Sequence, residues 1–148
     1  MQLMLRDRDL AQLVSDLRGK KVMIWTCNTC ARLCDVGGSS NAQRLATALR
    51  SEGIEVTSVA SAKASCIATS VRDNGGKQSE SCDIVLVLAC DAARIVAERT
   101  FSKPCVNPVT TIGPGYLSED GVPVSVGGPE RTLETVSAEE GLPAGPFV

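Results

Sequence analysis

Residues 21–38 read KVMIWTCNTCARLCDVGG. The first six form a compact apolar run with β-branched and aromatic members, the pattern of a strand buried on both faces. The run ends at Cys27, and Cys30 and Cys34 follow it closely. A Gly37-Gly38-Ser39-Ser40 turn then leads away from the cysteines. The rest of the chain is read outward from this unit.

Downstream, residues 41–51 carry Leu45, Ala46, Ala48 and Leu49 in a helical pattern closed by Gly53. Residues 54–59 predict a second strand. Residues 65–71 give one or two helical turns, which Asp73-Asn74-Gly75-Gly76 should end with strong turn chemistry. Residues 83–89 (DIVLVLA) are the most hydrophobic run and predict a central strand, which also ends in a cysteine, Cys90. A helix over 91–100 and a short strand over 103–108 complete the series.

Upstream, Leu10, Leu13, Val14 and Leu17 predict an amphipathic helix over residues 6–18. The alternation predicts a single α/β domain with a doubly wound, mostly parallel sheet of Rossmann or flavodoxin-like type and right-handed crossovers. The cysteine loop should lie at the carboxyl edge of that sheet. Beyond Gly113 glycine, proline and polar residues dominate, with a small hairpin near 115–127. The domain is therefore expected over 1–128. Residues 129–148 are expected as an irregular, extended or disordered tail that could dock a partner.

Composition narrows the function. With 148 residues, 43% of them hydrophobic, the chain can build one real core. A net charge of -2 gives no broad footprint for nucleic acid or an anionic membrane, and an aromatic content of 3% leaves few stacking platforms. No stretch approaches the roughly 18 apolar residues of a spanning helix, and residues 1–21 lack the apolar run of a secretory signal. A cytoplasmic protein is expected.

Seven cysteines and no histidine set the chemistry. In a reducing compartment such cysteines read as metal ligands or redox thiols rather than a disulfide framework. Without histidine, zinc loses its commonest nitrogen ligand, and a nucleophilic thiol loses its usual base.

Strand ends in a parallel sheet gather ligands where loops enter helix N-termini. The C-x2-C pair Cys27 and Cys30 lets two sulfurs converge, and Cys34 lies one turn on. Cys66 follows the second strand and would reach the same edge as the fourth ligand, while Cys90 is the competing choice. A [4Fe-4S] cluster on four thiolates is the expected cofactor.

Two other readings stay open. Four cysteines could hold zinc in a protein-interaction module without a redox role, although only one C-x2-C pair is present. Alternatively, Cys27 or Cys30 could be a reactive thiol. Cys82 and Cys105 read as small buried hydrophobes. No G-x-G-x-x-G and no P-loop is present.

The strand KVMIW leading into CNTCARLCDVGG, Cys66 in the next crossover and DIVLVLAC before a small-residue helix start together resemble the N-terminal domain of the small iron-sulfur subunit of acetogen-type methylenetetrahydrofolate reductase. That family is known as the methylenetetrahydrofolate reductase C-terminal domain family. The resemblance spans about residues 1–115. It implies a cluster on Cys27, Cys30, Cys34 and Cys66 and electron exchange with a flavin-carrying reductase subunit in one-carbon metabolism. The chain would then be a non-catalytic subunit of an oxidoreductase complex. A hetero-oligomer is expected, with a homodimer through the same face as the other arrangement.

The chain departs from that pattern in having no cysteine after Cys105, where a second cysteine-rich segment would follow, and in carrying Asn28 where glycine is expected. Arg32 and residues 129–148 are the expected partner contacts.

Overall fold

The computed structural model describes all 148 residues. Its centre is a four-stranded parallel sheet in the order β3-β2-β4-β5. These strands are β2 (Lys21–Cys27), β3 (Glu55–Ala62), β4 (Ile84–Leu88) and β5 (Cys105–Val106). A second sheet is antiparallel, in the order β1-β6-β7-β8. It is formed by β1 (Gln2–Arg6), β6 (Val109–Leu117), β7 (Pro123–Ser125) and β8 (Arg131–Thr132). The mixed α/β content and the parallel sheet agree with the sequence reading. In the second sheet, the small hairpin expected near 115–127 is the pairing of residues 115–117 with Pro123–Ser125, whereas β1 and β8 do not follow from the sequence reading.

The middles of β2 and β4 are apolar because both their faces are covered: Val22 to Trp25 and Val85 to Leu88 are all at 0% exposure. The helices are α1 (Leu10–Leu17), α2 (Cys30–Leu33), α3 (Ser39–Ser51), α4 (Ala68–Ser79), α5 (Asp91–Phe101) and α6 (Leu133–Glu140). Helix α3 buries Ala42, Leu45, Ala46 and Leu49 along one stripe, and α4 and α5 pack side by side. Asp9 caps α1 in a reciprocal capping box with Gln12, which starts that helix later than residue 6.

Residues 2–6 form a strand that the sequence reading leaves unassigned: Leu3, Met4 and Leu5 are all fully buried, so β1 has apolar contacts on both faces. Two expectations are corrected.

The turn expected at Asp73-Asn74-Gly75-Gly76 is the middle of α4. A Cβ at Gly75 would stand 2.7 Å from both Trp25 Cζ3 and Phe101 Cζ. That glycine serves close packing of helix on sheet, where the ring of Trp25 meets Phe101 edge to face at 5.3 Å.

The segment 129–148, expected as an extended or disordered tail, holds β8 and α6. Val124 and Ser125 of β7 pair with Thr132 and Arg131, and the Thr132 side chain caps α6. Leu133, Val136 and Phe147 are buried, and the Arg6 guanidinium sits 5.8 Å from the Phe147 ring centroid. Burial of these few apolar groups holds the arm on the domain despite its polar composition. No helix is long and apolar enough to cross a membrane.

Candidate functional site

The chain leaves β2 to form β3 on one flank, then returns to form β4 and β5 on the other. Crevices of open parallel sheets form where the strand order reverses in this way, at the carboxyl ends of the strands. Here that point lies between β2 and β4, and Cys27 and Cys90 stand at it.

The loop after β2 is folded back onto the strand ends. Thr26 Oγ1 donates to Leu88 O at 2.9 Å and accepts from Gly38 N–H at 2.8 Å, joining β2, β4 and the start of α3. Gly37 occupies the space left, where a Cβ would lie 2.6 Å from Thr26 Oγ1 and 2.7 Å from Leu88 O. Gly38 has φ +88° and allows the reversal into α3.

Asn28 does more than the small change of backbone freedom that its place in the loop suggests. Its Nδ2 donates to Ser61 Oγ at 3.1 Å, and its Oδ1 accepts from Ser39 N–H at 2.8 Å. It thereby ties the loop to β3 and α3.

Four cysteines, Cys27, Cys30, Cys66 and Cys90, line one cavity of about 90 Å³, with Met4, Thr29, Ala31, Ala64 and Ala93 forming the rest of its wall. Cys27 ends β2 and its thiol donates to Lys63 O at 3.8 Å. Cys30 opens α2. Cys66 lies between β3 and α4, and Cys90 is the residue before α5. The thiols thus come from three strand ends and sit at the starts of three helices.

Burial pushes the Cys90 thiol up, opposed by the N–H groups of Ala93 and Ala92; the nearby thiols of Cys30 and Cys27 add to the rise. All seven cysteines are free. As they stand, no three Cys, Asp or Glu side chains converge tightly enough to hold a single metal ion.

Cys34 is placed differently. It follows the single turn of α2 and is 2% exposed, with its thiol donating to Gln2 O at 3.6 Å. The Gln2 N–H donates to Cys30 Sγ at 3.4 Å. Burial pushes the Cys34 thiol up to about 11, opposed by the backbone of Met4, with Cys30 adding to the rise. It lines a separate open groove of about 380 Å³ that reaches Leu133 and Ala144 of the C-terminal arm. Of the expected ligands, then, Cys27, Cys30 and Cys66 share one cavity with Cys90, and Cys34 stands behind Cys30.

Cys82 and Cys105 lie at the other end of the sheet, as small hydrophobes would. Cys82 precedes β4 and bonds Ser79 O at 3.3 Å, and burial pushes the Cys105 thiol up to about 12. The contributions of Gln2 and Met4 carry no signal in the sequence, because they depend on β1 lying along α2.

Comparison with protein-family models, with curated proteins and with solved structures finds no match for this chain.

Proposed function

We propose that this chain is an iron-sulfur electron-transfer subunit, holding a [4Fe-4S] cluster in the cysteine-lined cavity. The observation that carries the reading is the meeting of Cys27, Cys30, Cys66 and Cys90 around one cavity at the switch point of the parallel sheet. The donor set fits. Thiolates are the ligands of such clusters, the walls between them are apolar, and no histidine or carboxylate lines the space.

Five thiols are available for four positions. Cys27 and Cys30 satisfy both the loop spacing and the cavity, Cys66 follows β3 and lines the same cavity, and the fourth position lies between Cys90 and Cys34. Cys90 lines the cavity itself; Cys34 has the loop spacing and the resemblance behind it.

A bound cluster would supply one-electron transfer. The chain's own groups would orient and stabilise the sulfurs. Gln2 N–H donates to Cys30, the α5 amides of Ala92 and Ala93 face Cys90, and the Thr26–Gly38 tie fixes the loop.

The strand arrangement, with the first parallel strand central and the third and fourth on its far flank, supports a flavodoxin-like form of the doubly wound fold. The loop, Cys66 and LAC at 88–90 support a flavin-carrying partner of the methylenetetrahydrofolate reductase type in one-carbon metabolism. Seven free thiols suit the reducing cytoplasm.

The test is anaerobic purification followed by a visible spectrum and iron, sulfide and zinc analysis of one sample. A brown protein with about four iron and four sulfide per chain is expected. A colourless protein with one zinc per chain overturns the electron-transfer reading and leaves a zinc-stabilised interaction module.

A further inference from the structure

Four strands stand at the margins of the two sheets. β5 and β8 are two residues long, and β1 is bonded along its outer side by Cys30, Cys34 and Pro143. The fourth, β3, runs for eight residues with no strand on its outer side. Its Ala62 C=O accepts from Asn28 N–H at 2.9 Å, so Ala62 faces β2. Backbone groups alternate along a strand. Ala60 therefore also faces β2, and Val59 and Ser61 turn their N–H and C=O outward.

The first end of this edge is closed. A register shift leaves Thr57 as a bulge, and Arg50 Nη2 donates to Val56 O at 3.0 Å. Beyond it lies Ser58-Val59-Ala60-Ser61, all short uncharged side chains. It lacks the lysine or proline that commonly blunts an open edge. Glu55 and Lys63 stand at opposite ends of the stretch, both exposed and neither in an ion pair.

That charge pattern is self-complementary. A second copy laid antiparallel, with the two-fold axis at Val59, brings Glu55 of each chain to Lys63 of the other. Val59 then exchanges both backbone hydrogen bonds with its counterpart. A parallel copy in register would instead set glutamate against glutamate and lysine against lysine. We propose that the β3 edge is the interface of a two-fold homodimer, which joins the two parallel sheets into one continuous sheet. Each copy uses its one long open edge, so assembly stops at two. The inference is independent of the cluster reading.

The test is sedimentation of the full, anaerobically purified chain over a concentration series at low salt. A monomer–dimer equilibrium is expected for the wild type. Glu55→Lys and Lys63→Glu, each alone, turn both cross-chain contacts repulsive and should weaken the dimer about tenfold. Mixed in equal amounts, with one chain labelled, the two variants should form a heterodimer as tight as the wild type, because every lysine again meets a glutamate.

Val59→Pro removes only an outward donor, a change that edge strands tolerate, and should give a monomer with the far-UV spectrum of the wild type. If that variant fails to fold, the mixing result decides alone. A wild type that stays monomeric, a dimer indifferent to both charge reversals, or a mixture no tighter than either variant by itself would overturn the interface.

Discussion

Gly75 lies against Trp25 so closely that a Cβ at this position would meet the indole at 2.7 Å and the Phe101 ring at the same distance. Helix α4 therefore sits nearer to β2 than any residue larger than glycine permits. Alanine in a helix interior is otherwise favoured over glycine by about 1 kcal/mol, so the two effects oppose each other. Overpacking of a full core costs about 1–3 kcal/mol. Gly75→Ala is expected to lower stability in urea unfolding, and a rise in stability would show that the Trp25–Phe101 pair yields.

The loop beyond β2 should be equally intolerant at Gly37. Its missing Cβ leaves room for Thr26 Oγ1, Leu88 O and the Ala31 methyl, all within 2.8 Å of where it would be. Two of these are polar groups engaged with each other. Gly37→Ala is expected to cost about 1–3 kcal/mol by the same overpacking argument and to lower iron content on anaerobic purification. Full iron with wild-type stability would refute the tight fold of this loop.

Substitution of single cysteines separates ligands from bystanders. Cys27→Ser, Cys30→Ser and Cys66→Ser should each lose most of the iron and the visible chromophore. Cys82→Ser and Cys105→Ser should keep both. Between the remaining two, Cys90→Ser should lose iron and Cys34→Ser should keep it if the cavity wall defines the fourth ligand. The reverse result would return that role to the loop spacing of residues 27–34.

Alkaline pH gives a test far from the cavity. Burial raises the Cys105 thiol from 9.0 to about 12, with the Glu98 carboxylate adding to the rise. The folded chain thus holds a proton that the unfolded chain releases above its own value near 9. Stability from this group is complete below pH 9 and declines as pH rises toward 12. In metal-free protein, Cys105→Ala should flatten the fall in melting temperature over that window, and an unchanged slope would remove Cys105 as its cause.

Thiol labelling should follow exposure and ionisation together. In metal-free native protein at neutral pH, Cys66 is expected to react with iodoacetamide well before Cys34, which is 2% exposed and held up to about 11. Peptide mapping of a time course reads the order directly. Faster labelling of Cys34 would mean that the contact between α2 and β1 opens readily.

The elements legible in the sequence were those whose pattern has one reading. The continuous apolar runs of β2 and β4 are buried on both faces, and Leu45 with Leu49 marks the inner side of α3. Cys27, Cys30 and Cys66 could be placed at one edge because each follows a strand, Cys27 and Cys30 after β2 and Cys66 after β3. β1 was not legible: Leu3, Met4 and Leu5 are only three residues, and their burial depends on β6 and α2 from distant parts of the chain. In Asp73-Asn74-Gly75-Gly76 the turn propensity is real, but packing against Trp25 overrides it. The turn of Cys34 toward Gln2 was hidden as well, because α2 is a single turn and small changes in its phase decide which way the next side chain points.

The outer edge of β1 is closed in an unusual way. Gln2 faces two sulfurs, the Met4 backbone faces Cys34, and Arg6 N–H reaches Pro143 O at 3.2 Å in the C-terminal arm. A bare strand edge is a template for adding another chain. Here thiols close the Gln2 end and the C-terminal arm closes the Arg6 end, so whatever removes Cys30 and Cys34 from β1, oxidation or alkylation included, uncovers the N–H and C=O of Gln2. Chemical damage at the cysteines would then appear first as self-association of the protein, before any loss of its core.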